Sequence, residues 1–246
     1  MTAVQAKGLT KKYKEKTAVD ALDLTVEEGE LFALLGVNGA GKTTTIRMLT
    51  CLSKPTAGEA AICGHSVSSD SASVKAVVGI SPQDTAVAEN LTVKENLTLA
   101  AKIFGFSKEK TAKRIDEMTK LFNLGDVLSS RAKTLSGGWK RKVSIAMALI
   151  SEPKVLFLDE PTLGLDVLAR RELWGAIESL KGKITIILTT HYMEEAEKLS
   201  DRIAIMTGGK IRAIGTMAEL EQISGESGLE NVFVKIAERA VGGDEV

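Results

Sequence analysis

The sequence predicts an α/β fold: a mostly parallel sheet with flanking helices, an N-terminal antiparallel strand part and an inserted all-helical subdomain. Three observations predict this fold. Apolar runs at residues 31–35, 155–158 and 184–188 have the length and composition of strands buried on both faces. Helical patterns alternate with these runs, which favours a parallel sheet. Between residues 84 and 153, in contrast, the pattern is helical throughout.

The composition limits the size and setting of the protein. A chain of 246 residues that is 44% hydrophobic can bury a sizeable core, and we expect a single domain. Lys plus Arg equals Asp plus Glu at 32 each, so no basic excess points to nucleic acid as a partner. Two cysteines, Cys51 and Cys63, cannot form a disulfide framework, and no apolar run reaches the ~18 residues that cross a bilayer. The start of the chain also lacks the pattern of a signal peptide, so we expect a cytoplasmic protein whose membrane role would need another chain.

The first elements predicted are two short strands, at residues 4–9 and 18–26. The charged connection at residues 11–16 contains a single aromatic residue, Tyr13. Its ring could stack on an adenine base or cap the edge of the sheet, and its spacing in the sequence leaves both roles open.

A phosphate-binding loop follows the next predicted strand. Residues 36–44 read G-V-N-G-A-G-K-T-T and fit G-x-x-x-x-G-K-[ST] at every fixed position. The loop lies between a buried strand and a predicted helix at residues 43–52, which is the required context. Glycines let backbone N–H groups approach an anion, Lys42 can reach the β and γ phosphates, and the Thr43 hydroxyl can bind Mg²⁺. The motif therefore predicts a P-loop NTPase core.

The segment that follows is predicted to contain a strand at residues 59–63, a helix at 70–77 and a strand at 78–81. Gln83 lies just beyond that last strand, and its position alone is typical of an ordinary loop residue. In the helical region, one helix is predicted at residues 93–104 and a second begins at Ser107. We interpret the charges of the second helix as a solvated face.

The sequence L-S-G-G at residues 135–138 precedes a predicted helix from Trp139 to about residue 151. Ser136 is a natural N-cap, and Gly137 and Gly138 leave N–H groups that can accept an anion. Without further context this pattern favours ordinary helix capping.

Two carboxylates follow the buried strand at residues 155–158. Because successive side chains of a strand point to opposite sides, Asp159 and Glu160 are predicted to serve different ligands. One could hold Mg²⁺ and the other could deprotonate an attacking water. His191 follows the carboxyl end of the strand at residues 184–188 and is predicted to lie beside these carboxylates, whereas His65 is predicted to lie on the surface.

The remaining elements are predicted in short succession. Helices are expected at residues 167–180 and 192–199, and a hairpin at 202–215. Leu229, Val232, Phe233 and Ile236 have the spacing of an amphipathic helix, and residues 242–246 are expected to form a loose tail.

Five motifs in this order make the chain resemble the nucleotide-binding subunit of an ATP-binding cassette (ABC) transporter over nearly its whole length. The resemblance implies ATP and Mg²⁺ as cofactors, with Glu160, His191, Lys42 and Gln83 as catalytic residues and Thr43, Gln83 and Asp159 as metal ligands. It implies that ATP is bound by Tyr13, Gly36, Asn38, Gly39, Ala40, Gly41, Lys42, Thr43, Thr44, Ser136, Gly137, Gly138 and Asp166. The sequence at residues 189–206 is similar to that of drug, sodium or lipid-like exporters.

The resemblance also implies a mechanism and a domain organisation. Two identical subunits are expected to pair head to tail, so that the phosphate loop of one and residues 136–138 of the other bind the same ATP. The pair would serve an integral membrane permease docked near residues 84–97, on the inner face of the cell membrane. A single ABC ATPase domain is expected, with a catalytic core at about residues 1–83 and 154–222, a helical subdomain at 84–153 and a C-terminal helix and tail at 223–246.

Two departures and two alternatives remain. Trp139 replaces the glutamine usual in the family, and Leu163-Gly164 replaces a small polar pair. A soluble ABC ATPase acting on ribosomes or nucleic acid usually has two cassettes or long inserted coiled coils, and neither is visible. A P-loop kinase would need an acceptor site and would have no Ser-Gly-Gly helix start.

Overall fold

The computed structural model describes residues 1–242, which form ten strands and nine α-helices. The strands are β1 (Thr2–Tyr13), β2 (Lys16–Glu27), β3 (Leu31–Leu35), β4 (Ala57–Ile62), β5 (His65–Ser66), β6 (Val78–Ser81), β7 (Val155–Asp159), β8 (Thr185–Thr190), β9 (Arg202–Thr207) and β10 (Lys210–Gly215). The helices are α1 (Lys42–Leu49), α2 (Ser71–Val77), α3 (Val93–Ile103), α4 (Lys108–Phe122), α5 (Gly137–Leu149), α6 (Val167–Glu178), α7 (Met193–Leu199), α8 (Met217–Ser224) and α9 (Leu229–Gly242). The predicted tail lies outside the described residues, except that Gly242 ends α9.

The strands form two sheets. One has the order β2-β1-β4-β5 and is antiparallel. The other has the order β10-β9-β3-β8-β7-β6, in which every neighbouring pair is parallel except β10 with β9. The predicted α/β class, with a mostly parallel sheet and an N-terminal antiparallel part, is therefore confirmed.

The central strands of the larger sheet are buried on both faces. In β3, Leu31, Ala33 and Leu35 pack in one hydrophobic cluster, while Phe32 and Leu34 pack in another. The first cluster joins the sheet to residues of α3 to α9, and the second joins it to α1, α2 and the antiparallel sheet. Because β3, β7 and β8 are parallel, their carboxyl ends meet at one edge, and the segments that follow them are brought together there.

The region from residue 84 to 153 contains α3, α4, two short 3₁₀ turns and α5, and no strand is described in it. Capping side chains fix the helix starts. Thr92 and Glu95 form a capping box at α3, and the Ser107 hydroxyl accepts from the Lys110 N–H at α4. This confirms the two predicted helices, while the division of the chain into subdomains remains a prediction. None of the helices in residues 1–242 combines the length and the apolar character that crossing a bilayer requires.

One local prediction was wrong, and one helix was missed. Strand β1 continues to Tyr13, which pairs with Lys16 across a two-residue turn, so the expected six-residue connection is mostly strand. Helix α8 was not predicted at all, although its capping box of Thr216 and Glu219 is visible in the sequence.

Candidate active site

The phosphate-binding loop joins the end of β3 to the start of α1. Two of its glycines leave no room for a side chain, because a Cβ on Gly36 would lie 2.4 Å from the Met206 carbonyl oxygen and one on Gly41 would lie 2.5 Å from that of Ala18. Gly41 also has a φ of +107°, which L-residues rarely adopt. The loop is therefore held closely against β2 and β9.

We expect Gly41→Ala to lower the free energy of unfolding by about 1–3 kcal/mol, because both the φ and the close approach to Ala18 exclude a methyl group. Urea denaturation measures this loss. Gly175→Ala in α6 is the matched control, since a Cβ there meets nothing within 4 Å, and it should change stability by less than about 1 kcal/mol. Equal stability of the Gly41→Ala variant and the parent would contradict this interpretation of the loop.

Lys42 is the first residue of α1, and its ammonium group lies inside the loop. Nζ donates to the carbonyl oxygens of Gly36 at 2.7 Å and Val37 at 3.3 Å. It also lies 3.2 Å from Oε1 of Glu160, and both side chains of this ion pair are nearly fully buried. A buried cation at this position can pair with a phosphate that enters the loop.

Asp159 is the last residue of β7, and its carboxylate faces Thr43, the residue that follows Lys42 in α1. The hydroxyl of Thr43 donates to Oδ1 of Asp159 at 3.1 Å, and the hydroxyl of Thr189 donates to the same oxygen at 2.5 Å. A hydroxyl beside a carboxylate is a donor set that suits Mg²⁺, which usually takes few protein ligands and completes its shell with water and phosphate oxygens. No group of three or more His, Cys, Asp and Glu side chains able to hold a metal lies within residues 1–242.

Glu160 contradicts the predicted alternation of the two carboxylates. Its φ is +51°, and its N–H donates to both the carbonyl oxygen and the hydroxyl of Thr189 at 3.1 Å. This left-handed residue ends the strand pairing, so that Glu160 contacts Lys42 while Asp159 contacts Thr43. Both carboxylates therefore face the phosphate loop.

His191 follows β8 and lies against Glu160, as its position in the sequence predicted. Nδ1 of His191 forms a short hydrogen bond with Oε2 of Glu160. The ring of Tyr192 lies 4.2 Å from that of His191, and the guanidinium of Arg170 lies over the Tyr192 ring. His65 instead pairs with Asp70 near the start of α2.

A cavity of about 450 Å³ lies over the loop. Its walls include Tyr13, Lys16, Ala18, Asn38, Gly39, Ala40, Gly41, Lys42, Thr43, Thr44, Gln83 and Glu160. Tyr13 is half exposed at the end of β1, and Gln83 is held by its carbonyl oxygen, which accepts from Arg141. The structure thus brings Tyr13 and Gln83 to the same space as the loop, although they are 70 residues apart in the chain.

Besides Gly36 at the start of the loop, four predicted nucleotide-binding residues do not line this cavity. The hydroxyl of Ser136 caps α5 by accepting from the Trp139 N–H, and Gly137 and Gly138 form the first turn of that helix. Asp166 caps α6 by accepting from the N–H of Ala169 at 2.9 Å. Their contacts within one chain are those of helix caps.

Sequence reasoning missed two residues that hold the site together. Thr189 binds both the Asp159 side chain and the Glu160 backbone, and its place in T-T-H at a strand end was the available signal. Arg141 is buried, and its guanidinium donates to the carbonyl oxygens of Pro82 and Gln83. Burial lowers the pKa of Arg141, but Asp159 opposes this shift electrostatically. No sequence pattern identified this arginine.

Comparison with known proteins places this geometry in a family. Residues 19–163 match the family model described as ABC transporter. The chain is 40% identical to the daunorubicin resistance ATP-binding protein DrrA3 of Streptomyces coeruleorubidus, over 94% of this chain and 74% of that protein. It is 42% identical to human phospholipid-transporting ATPase ABCA3 over 96% of this chain, but spans only 14% of that much longer protein.

Solved structures agree with the sequence matches. A structure described as the ATP-binding subunit of an ABC transporter superposes with a TM-score of 0.87 at 32% identity, covering 96% of this chain and 99% of that one. A dimeric ATP-binding cassette in a post-hydrolysis state, bound to ADP and phosphate, superposes with a TM-score of 0.79 at 28% identity, covering 87% and 98%.

Proposed function

Because the chain belongs to the ABC transporter family, we propose that it binds ATP with Mg²⁺ over its phosphate loop and hydrolyses it to power a membrane exporter. One observation carries this proposal. Successive residues of α1, Lys42 and Thr43, contact successive carboxylates, Glu160 and Asp159. Lys42, Thr43 and Glu160 line a single cavity. That arrangement combines a phosphate-binding cation, a metal-binding pair and a general base.

The phosphate loop and the metal-binding pair of Thr43 and Asp159 would neutralise the negative charge of the phosphates. Thr43 and Asp159 would hold Mg²⁺, with Gln83 as a further ligand, and the metal would supply electrostatic stabilisation of the transferred phosphoryl group. Lys42 forms an ion pair with Glu160, and its ammonium would also donate to the β and γ phosphates of bound ATP.

Glu160 would orient the attacking water and accept its proton. Its nearly complete burial keeps competing water away from the carboxylate, and the hydrogen bond from His191 fixes the direction of that carboxylate. Tyr13 would stack on the adenine ring from the end of β1. Hydrolysis then needs positioning and charge stabilisation from these side chains, with no covalent intermediate on the protein.

The residues that lie away from the cavity suggest a second copy of the chain. Ser136 caps α5, and Gly137 and Gly138 form its first turn, where backbone N–H groups have no acceptor within the helix and can bind an anion. The dimeric cassette that superposes on this chain supports a homodimer. We propose that these residues and Asp166 contact the ATP held by the loop of the partner.

Cysteine cross-linking tests this head-to-tail pairing. One variant carries Asn38→Cys and another carries Ser136→Cys, both with Cys51→Ser and Cys63→Ser. Mixed together with Mg²⁺ and ATP under oxidising conditions, they should form a covalent dimer that neither forms alone. Glu109→Cys, on an exposed part of α4, is the control for random collision. A mixture that cross-links no better than this control would contradict the pairing.

We propose that the permease docks near residues 84–97, where Ala86 lines a groove of about 310 Å³. It is lined mainly by apolar side chains of β6, α3 and α5, and the exposed Leu52, Ile103 and Phe104 lie along it.

The relatives that support export are the daunorubicin resistance protein and the Nod factor export ATP-binding protein I of Ralstonia nicotianae, which is 40% identical over 94% of this chain and 72% of that protein. Docking at the groove would place the chain on the inner face of the cell membrane.

The alternative, a soluble ABC ATPase acting on ribosomes or nucleic acid, has no specific observation in its favour. Detergent extraction of membranes from cells that express a tagged chain distinguishes the two. Co-extraction with an integral membrane protein supports the transporter, and sedimentation with ribosomes supports the alternative.

Trp139 occupies the position at which the family usually has glutamine, and its ring contacts Lys142 of the same helix. The ammonium of Lys142 lies 4.6 Å from the centre of the Trp139 ring and forms an ion pair with Glu172 of α6 at 2.6 Å. We expect Trp139→Gln to lower stability by about 0.5–1 kcal/mol through loss of this cation–π contact and to change the ATPase rate less than about tenfold. An inactive parent that glutamine restores would show this expectation to be wrong.

A further inference from the structure

Glu195 is a fully buried carboxyl that the proposed mechanism does not use. It lies in the first turn of α7, four residues after His191, and has 0% exposed surface. Nε1 of Trp174 in α6 donates to its Oε1 at 3.0 Å. Burial raises the pKa of Glu195, and the hydroxyls of Thr190 and Thr162 oppose this rise only in part.

The groups around the Glu195 carboxyl belong to the chain segments that carry His191 and Glu160. Thr190 directly precedes His191 in the chain, and Thr162 follows Glu160 by two residues. The hydroxyls of both threonines are near enough to the Glu195 carboxyl to lower its pKa, so this carboxyl is close to the segment that carries His191 and to the segment that carries Glu160. Trp174 holds the carboxyl from a third element, α6.

Two polar atoms in this cluster lack a partner in the described part of the chain: Oγ1 of Thr162 and Oε2 of Glu195. Buried polar atoms are nearly always hydrogen-bonded, so two unpartnered atoms in one cluster are unusual and need an explanation. A neutral carboxyl can donate as well as accept, so a hydrogen bond from Oε2 to Thr162 Oγ1 would satisfy both atoms. An amide at position 195 could make the same donation, but an apolar side chain could not.

We propose that Glu195 is a positioning residue for the His191–Glu160 pair, joining the two chain segments that carry these side chains. Glu195 does not line the nucleotide cavity, so its removal should spare ATP binding. Loss of the contact should instead let His191 and Glu160 separate, and small displacements of catalytic groups are costly in rate. The effect on hydrolysis rests on the proposed function, whereas the effect on the position of His191 does not.

The test uses Glu195→Leu and Glu195→Gln, which are similar in size and differ in hydrogen bonding. We expect Glu195→Leu to lower kcat at least tenfold with KM for ATP within about threefold of the parent, and Glu195→Gln to retain kcat within about threefold. A purely packing role would let leucine serve as well as glutamine. Equal impairment of both variants, or parental kcat in Glu195→Leu, would overturn the proposal.

Imidazole NMR separates this inference from the question of ATPase activity. The chain has two histidines, His65 and His191, so two sets of ring signals are expected, and His65→Asn assigns them. Glu195→Leu should shift the His191 signals and leave those of His65, which pairs with Asp70, unchanged. Unmoved His191 signals would overturn the proposal even in an inactive protein. Conversely, if the parent has no ATPase activity and Glu195→Leu still shifts the His191 signals, only the proposed function is contradicted.

A second variant covers the case in which Glu195→Leu does not fold. Trp174→Phe keeps an aromatic ring in α6 and removes the N–H that donates to Glu195. We expect Trp174→Phe to shift the His191 signals away from their positions in the parent. We also expect it to lower kcat by a larger factor than it raises KM. His191 signals and kcat identical to those of the parent would contradict the connection through Glu195.

Discussion

Glu160→Gln is expected to lower ATP turnover by about 10²–10⁴-fold, the range that a general base contributes. Glutamine keeps the size of the side chain and can still accept from His191, but it cannot take the proton of the attacking water. Nucleotide binding should survive, because Lys42 is released from its ion pair with the carboxylate and remains available to the phosphates.

Steady-state phosphate release and equilibrium binding of ATP measure the two halves of this prediction. Glu109→Gln, an identical substitution on the exposed face of α4, should behave as the parent in both assays. Parental turnover in Glu160→Gln would remove Glu160 from the mechanism.

Lys42→Ala is expected to lose ATP binding and to be less stable than the parent. The ammonium makes charge-assisted hydrogen bonds to phosphate that are worth about 1.5–3 kcal/mol, so the dissociation constant for ATP should rise at least tenfold. Its removal also leaves the nearly fully buried Glu160 carboxylate without a cation, which costs about 3–5 kcal/mol of folding free energy.

A double variant separates these two effects of Lys42→Ala. Adding Glu160→Gln removes the unpaired charge, so stability should largely return while ATP binding does not. Lys198→Ala, an exposed substitution in α7, is the matched control. Parental ATP affinity in Lys42→Ala, or recovery of affinity together with stability, would contradict the role given to this lysine.

The motifs were predictable because their spacing is local. The apolar run of β3 followed by the loop and α1 specified the phosphate-binding geometry, and the two close approaches at Gly36 and Gly41 explain why glycine occupies those positions. The position of His191 against Glu160 followed from a general rule, since parallel strands meet at their carboxyl ends. The roles of these residues in ATP hydrolysis remain predictions.

The details that were missed depend on contacts between distant segments. The direction of Glu160 follows from its positive φ and from hydrogen bonds to Thr189 on the neighbouring strand, whereas strand alternation alone predicts a direction opposite to that of Asp159. Tyr13 lies in β1 because it pairs across a turn with Lys16. In the sequence Glu195 is one of several acidic residues in a polar helix, and its burial against Trp174 becomes visible only once α6 and α7 are packed together.

Sedimentation velocity of Glu160→Gln tests the central claim most directly, namely that two copies of the chain bind ATP between them. With Mg²⁺ and ATP this variant should sediment at twice the mass of one chain, because hydrolysis no longer separates the pair, and with Mg²⁺ and ADP it should sediment as a single chain. The same mass with both nucleotides, in a protein shown to bind ATP, would contradict the account.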